Sequence, residues 1–543
     1  MSAVERESAM DQDQSPGQER LQGGEKSLHE EFGAGYEAVT GFAGYVYKHE
    51  DRAAKVWLFS SVFWFVWVTT FGLIIATELV APEFLAGIPY LIFSRARPVH
   101  VQGVVYAWLT MMYLGAIYYF SPRLLGTRRM WSESLGIWSA WLLNATLVAG
   151  FFGIMTGASQ GREWAEFPWI IDVMIEIVFI MQIINIVMTV RIRKVRPLYV
   201  SMWWAIAAPI WITADIFIEN VMWRPGNIWG NPSGNLPTGI HDAMINWWGN
   251  HNLFGLWLTP VLIAVCYYFV PRITNTPLYG HTLSLISFWG IIFIYTAVGD
   301  HHLLQTPTPG WLKTIASVNS VGILIPVFAF FTNIFLTMRG QWNKFFTSLP
   351  LRFVLTGFIF YILSNVQGAL QAVQPFNYFI HFTYFIIGHS HLALLGGFTI
   401  LGMGVLYYML PHIMNRPVWS QALGEYQYWL VTVGWSLMLL ALSGGAFVQG
   451  QGWLTGANEV VILPSLRLWN LWRGVAGGFI FTAGIMQAIN IVMTAISPTR
   501  DIAAKHARAD SRSALHGSRA AEPAPQTMAS EVVAPKPSMS GGA

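Results

Sequence analysis

The chain has 543 residues, of which 54% are apolar and only 11% charged, less than half the roughly 25% charged fraction of soluble domains. With a mean hydropathy of +0.46 and 26 Trp, 35 Phe and 20 Tyr, it cannot cover its surface with charge in water, which excludes a soluble protein and leaves an all-α polytopic membrane protein. The net charge of +3 is too small to imply a nucleic-acid partner, and the single cysteine, Cys266, excludes a disulfide scaffold, a thiolate zinc site, an iron–sulfur cluster held by this chain and a C-x-x-C-H haem attachment.

Residues 1–54 are polar and charged, hold no apolar stretch long enough for a signal peptide, and read as a cytoplasmic extension. A transmembrane domain follows over 55–497, made of apolar segments of the roughly 20 residues that a bilayer requires. About twelve are expected, near 56–80, 100–122, 134–157, 168–190, 198–222, 246–270, 281–300, 313–337, 351–373, 381–410, 427–449 and 473–496. Residues 498–543 are rich in Ala, Pro, Ser and basic residues and read as a disordered cytoplasmic tail. Loops on the side of the termini carry Arg123, Arg128 and Arg129, then Arg191, Arg193, Lys194 and Arg196, then Arg339, Lys344 and Arg352. The opposite loops are sparser, with Arg95, Arg97, Arg162, Arg224, Lys313 and Arg467. The positive-inside rule therefore puts both termini in the cytoplasm. No internal repeat is evident.

Ionisable groups inside spans are costly and mark function by default. Of seven histidines in or beside apolar segments, six fall in one layer towards the outer face: His100 opening span 2, His251 early in span 6, His301 and His302 closing span 7, and His389 and His391 in span 10; His381 is spare. One such histidine alone reads as a hydrogen-bonded packing residue; six from four helices at one depth do not. Residues i and i+2 on a helix point about 200° apart, so His389 and His391 serve two cofactors flanking one helix. Adjacent His301 and His302 can converge on one metal if the last turn loosens, with His251 as third ligand. Three imidazoles suit copper, zinc or iron and leave a position open for a small substrate. The partition is two haem irons and one three-histidine metal. Tyr295 precedes His302 by seven residues, which predicts a position on the same helix face about 10 Å along the axis, from where it can supply an electron and a proton.

These residues resemble the C family of haem–copper oxygen reductases, the catalytic subunit of cbb(3)-type cytochrome c oxidases. The resemblance spans roughly 50–497 and rests on RARPVH ending at His100, GREWAEFPW (161–169), DAMINWWGNHN (242–252), YTAVGDHH (295–302) and GHSHLALLG (388–396). It implies that His100 and His391 ligate a low-spin haem b, that His389 ligates a high-spin haem b, and that His251, His301 and His302 bind copper. It also implies that Tyr295 is the active-site tyrosine, cross-linked to His251, that Glu163 or Glu166 lies near the haem propionates and a bound calcium, and that Arg95, Arg97 and Arg473 partner the propionates. Tyr267, Tyr268, Thr282, Ser284 and Ser287 are candidate proton-relay groups. The activity implied is reduction of O2 to water in the bacterial inner membrane, with electrons from cytochrome c through haem-c-containing partner subunits, and with proton uptake and translocation.

Two places depart from the family pattern: Gln367 stands where a Glu is usual before Gly368, and Tyr384 where an Asp is usual before the histidine pair. Both remove a carboxylate near the site. The alternative function is a nitric oxide reductase with non-haem iron in place of copper; such relatives carry a Glu four residues after the first metal histidine, where this chain has Gly255. A transporter, with broken helices and repeats at midplane, does not fit a layer of six histidines near one face.

Overall fold

The computed structural model describes residues 49–223 and 237–499. The extension up to residue 48, the segment with Arg224 and the tail from residue 500 lie outside the described residues. The chain divides at Ile496 into the helical unit and a second unit, Ser497–Ala543, of which only 497–499 is described.

Among the described residues there is no strand. Twelve helices make the bundle: α1 Arg52–Glu78, α2 Phe93–Leu125, α3 Glu133–Thr156, α4 Trp169–Arg191, α5 Val200–Val221, α6 Ile240–Thr274, α7 His281–Tyr295, α8 Gly310–Thr337, α9 Leu349–Gln371, α10 Tyr384–Met414, α11 Gln421–Leu454 and α12 Glu459–Ile496. Eleven are long and apolar enough to cross a membrane, and α7 is shorter at 15 residues. Helix α12 begins well before its expected apolar core, so Arg467 lies on a helix and not in a loop. Helix α10 begins only at Tyr384 because Phe382 adopts a left-handed φ of 64° that breaks the preceding turn, leaving His381 outside the helix.

Burial sorts the helices into two sets. The apolar windows of α2, α6 and α10 are 94%, 94% and 89% buried, against 39–56% for the other long helices. The three inner helices carry His100, His251, and His389 with His391. Each widens into a π-helical stretch just after its histidine: Gly103–Leu109, Leu253–Leu258 and Leu392–Thr399. Such widening is concentrated at functional positions. Indole and hydroxyl groups bind the inner helices together: Trp108 Nε1 donates to Thr399 Oγ1 at 2.9 Å and Trp257 Nε1 to Thr110 Oγ1 at 3.1 Å. With no water in the bilayer core, these polar groups must find each other.

The structure overturns the expectation of no internal repeat. The inner helices end in YYFSPRLLG (118–126), YYFVPRITN (267–275) and YYMLPHIMN (407–415), each closed by a left-handed residue: Gly126, Asn275 or Asn415, at φ 65°, 55° and 51°. Two helices further on, NIVMT (185–189), NIFLT (333–337) and NIVMT (490–494) supply the same clamp three times. Asn185, Asn333 and Asn490 accept from the backbone N–H of Ser132, Gly280 and Ser420 at 3.0, 2.9 and 3.0 Å. Thr189, Thr337 and Thr494 accept from the preceding N–H of Trp131, Tyr279 and Trp419 at 2.9, 3.0 and 2.9 Å. Each repeat is thus a set of four helices whose second loop is pinned by its fourth helix.

Replacing Asn490 by Ala strands the buried Ser420 N–H and carbonyl, both of which Asn490 now satisfies. A loss of about 1–3 kcal/mol is expected, read as a lower thermal unfolding midpoint of the detergent-solubilised protein.

Candidate metal and haem centre

One cavity runs along the inner helices, and all six layered histidines line it. Four of the rings spend their second nitrogen on a fixed neighbour. His100 Nδ1 lies 2.8 Å from the Val68 carbonyl, and His391 Nδ1 lies 2.8 Å from the Ile387 carbonyl. A carbonyl only accepts, so both rings carry their proton on Nδ1 and keep the Nε2 lone pair for a metal. His389 Nδ1 meets Gln367 Oε1 at 3.2 Å. Close glycines make room for two of the rings: a Cβ at Gly72 would stand 2.8 Å from His100, and one at Gly368 would stand 3.2 Å from His389.

His251, His301 and His302 bring one ligand nitrogen each within 4.8 Å of the others, the one such group of three metal-binding side chains among the described residues. His251 Nδ1 and His302 Nε2 are 3.1 Å apart. His301 Nδ1 is 2.8 Å from Ser320 Oγ on α8, and because that hydroxyl donates to the Ala316 carbonyl it accepts from the imidazole. Trp247 stacks on His302 at 4.2 Å. Burial holds His301 down at about 3 and pushes His302 well below the usual imidazole range. Burial thus favours the neutral ring that a metal ligand needs. The donor set fits the metals that the sequence predicts, and the three Nε2-presenting rings fit haem iron.

Tyr295 is at the site by a different route from the one expected. Helix α7 stops at Tyr295, and His301 and His302 sit on a separate 3-10 turn, Gly299–Leu303, so the three do not share a helix face. Tyr295, the last residue on the buried face of α7, instead lays its ring nearly parallel to His251, with centroids 5.1 Å apart. A Cβ at Gly255 would overlap the Tyr295 ring. Gly255 and Tyr295 therefore form a matched pair.

The remaining expected residues divide. Arg97 and Arg473 line the cavity, and Arg473 lies 5.6 Å over the ring of Tyr384. Arg95 does not: it donates to the Met155 carbonyl at 2.8 Å, at the C-terminus of α3, because the first turn of α2 points it away. Glu163 and Glu166 share Arg97 at 2.5 and 3.2 Å, and Glu166 also accepts from Gln102 at 2.6 Å. Their charge is thus taken up by a guanidinium, and no third carboxylate or imidazole converges on them. Burial raises the Glu166 carboxyl, and Gln102 and Arg97 oppose the rise. Of the relay candidates, Tyr267 Oη meets Ser287 Oγ at 3.2 Å, and Ser284 receives Asn333 Nδ2 at 3.0 Å. Ser284, Ser287 and Tyr295 are on the buried face of α7, whereas Thr282 is exposed and Tyr268 packs against Phe120 instead. Val68, Gly72, Trp247 and Ser320 escape the sequence reading as partners of the histidines, because each lies on another element and has no local signature, whereas Gln367 is marked there as a departure near the site.

The sequence matches the family described as "Cytochrome C and Quinol oxidase polypeptide I" over residues 52–480. It is 29% identical to cytochrome c oxidase subunit 1 of Rhodobacter capsulatus, over 82% of this chain and 85% of that one. It is 29% identical to the cbb3-type cytochrome c oxidase subunit CcoN1 of Stutzerimonas stutzeri, over 81% and 94%. A nitric oxide reductase subunit of Stutzerimonas stutzeri is 24% identical over 74% and 85%. A solved haem–copper terminal oxidase shares the fold with a TM-score of 0.67 at 13% identity, over 82% of this chain and 85% of that one.

Ser320→Ala removes the acceptor that orients His301. Metal affinity at the three-histidine site is expected to fall about 10- to 100-fold, measured as metal per haem in the purified protein, with the haem spectrum unchanged.

Proposed function

The chain belongs to the cytochrome c and quinol oxidase polypeptide I family, and on that premise we propose that it is the catalytic subunit of a C-family terminal oxidase. It would reduce O2 to water with electrons from cytochrome c delivered through haem-c-containing subunits. His100 and His391 would hold a low-spin haem b, His389 a high-spin haem b, and His251, His301 and His302 a copper ion. When bound, these groups carry the electrons and the O2 chemistry. The chain would cross the bacterial inner membrane with both termini in the cytoplasm, on the side of its basic loops.

The protein's own contribution follows from the geometry. The three Nδ1-anchored rings fix their Nε2 atoms towards the cavity before any cofactor arrives, and Trp247 and Ser320 hold the metal histidines in register. Arg97 and Arg473 place positive charge on the cavity wall where haem propionates would carry negative charge. Arg97 is already shared with Glu163 and Glu166, which supports their place beside the propionates, and a calcium there would draw on the same carboxylates and on backbone carbonyls. Tyr295 Oη holds a proton next to the three-histidine site. Ser287, Ser284 and Tyr267 line the approach to it along α7, so they are the hydroxyls from which that proton would be replaced. Translocation of further protons would be coupled to the same events.

The observation that carries the oxidase reading over the reductase one is the Gly255–Tyr295 pair. The space that a carboxylate at 255 would need is filled by a phenol stacked on a metal histidine. A three-imidazole site without that carboxylate suits copper better than iron, which favours a carboxylate beside its histidines.

Metal analysis and turnover of the purified complex test this. Two haems and one copper per chain are expected, with O2 consumption falling about 10²- to 10⁴-fold in Tyr295→Phe. Iron in place of copper, with NO consumption surviving the loss of Tyr295, would assign the chain to the reductases.

Gln367→Glu puts a carboxylate against His389 Nδ1. Increased imidazolate character would stabilise the oxidised iron, so the midpoint potential of the high-spin haem is expected to fall in a spectroscopic redox titration, with that of the low-spin haem little changed.

A further inference from the structure

Away from the cavity, where α4 begins and α5 ends, four carboxyl groups are buried in the apolar bundle. Helix α4 supplies Asp172 and Glu176; α5 supplies Asp215 and Glu219, at the onset and within its π-helical end, Phe217–Val221. The two helices run antiparallel, and each carries its acids four residues apart, a spacing that is repulsive when both are ionised. None is more than 7% exposed. Asp215, 2% exposed, has no hydrogen-bond partner on either carboxyl oxygen, and it faces Glu219 and Glu176. Glu176 Oε2 is also unpartnered. Glu219 accepts from Asn246 Nδ2 at 3.0 Å and fills a notch left by Gly249, where a Cβ would stand 2.5 Å from its carboxyl.

The groups around this cluster offset it only in part, through Arg162 acting on Asp172 and Glu219. Tyr106 of α2 faces Asp172, Asp215, Glu219 and Glu166. The one nearby cation, Arg162, makes its side-chain ion pair with Asp242 of α6, at 2.7 Å, and otherwise binds the Glu219 carbonyl and Asn220. Four ionised carboxylates in this setting would leave uncompensated buried charge, which proteins relieve by a bound cation or by protonation. A metal ion needs converging oxygens, yet no three of these acids bring ligand atoms within 4.8 Å of one another. Protonation needs no such convergence.

We propose that Asp172, Glu176, Asp215 and Glu219 form a proton-holding site, in which these buried carboxyl groups carry protons at neutral pH. The site is tied to the cavity wall. Gln160 bonds Asp172 through its side chain, at 2.9 Å, and Glu166 through its backbone, at 3.0 Å, and Glu166 binds the cavity-lining Arg97. A change of charge in the cavity is therefore felt by these acids, and the cluster is placed to take up or yield a proton at the end of the bundle away from the basic loops. That use in turnover rests on reading the cavity as a haem–copper centre; the protonation itself does not.

Infrared spectroscopy of the purified holoenzyme at pH 7 tests the proposal in the protonated-carboxyl C=O region, which shifts in D2O. The wild type is expected to show D2O-sensitive bands that lose intensity in Asp215→Asn and in Glu219→Gln, each with its haem spectrum retained, and that shift when the cofactors are reduced. Three results would overturn the proposal: no band lost in either variant, bands that emerge only after treatment with a chelator (a cation occupant), or bands indifferent to reduction. Failure of the oxidase reading would show separately, as absent haem or absent O2 consumption, while the variant-sensitive bands remain.

Discussion

An imidazole in a bilayer has two nitrogens to account for, and this structure depends on how four of the six layered rings assign theirs. A buried donor left without a partner costs about 1–3 kcal/mol, so each ring that offers a lone pair to the cavity must place its N–H elsewhere. Val68, Ile387, Gln367 and Ser320 take that proton at fixed positions on the surrounding helices. The rings are thereby neutral, oriented and directed inward in one stroke. The adjacent glycines Gly72 and Gly368 follow from the same requirement, since a methyl group at either would press on a ring that cannot turn away.

Holding those acceptors at the right depth is the work of the bundle. The inner helices contact protein on all sides and the outer ones face lipid on about half of theirs. The same loop clamp recurs three times, an Asn and a Thr of a fourth helix taking two successive backbone N–H groups. It fixes the ends of the inner helices that lie away from the histidines. Trp–Thr bonds fix their middles. The π-helical stretches start just after the histidines and contain Trp108, Trp257 and Thr399 of these bonds, so the widening is held in place by the anchors themselves.

Charge is distributed in a matching way. Around the cavity the chain uses neutral groups, Gln367 against His389 and Tyr384 beneath Arg473, and the two acids nearest the wall are bridged by Arg97. Several carboxyl groups that lack such a partner are gathered between α4 and α5, and another, Asp300, is buried beside His301 with its Oδ1 unpartnered.

The sequence by itself determined the membrane class, the number and approximate places of the spans, and the set of histidines, because hydrophobicity sums along the chain and a charged or imidazole group inside an apolar run stands out at once. The threefold repeat was also written there, in YYFSPRLLG, YYFVPRITN and YYMLPHIMN, but it was missed: the similar pieces are short, far apart and differ between their landmarks. What only the tertiary structure decided were the meetings between elements. Tyr295 stacks on His251 of another helix, while His301 and His302 lie on a separate turn and not on its helix face. Gly255 is defined by the ring that fills its space, Arg95 turns from the cavity while Arg97 enters it, and four acids on two helices become one cluster. These depend on crossing geometry and side-chain direction between segments distant in sequence, for which local periodicity carries no signal.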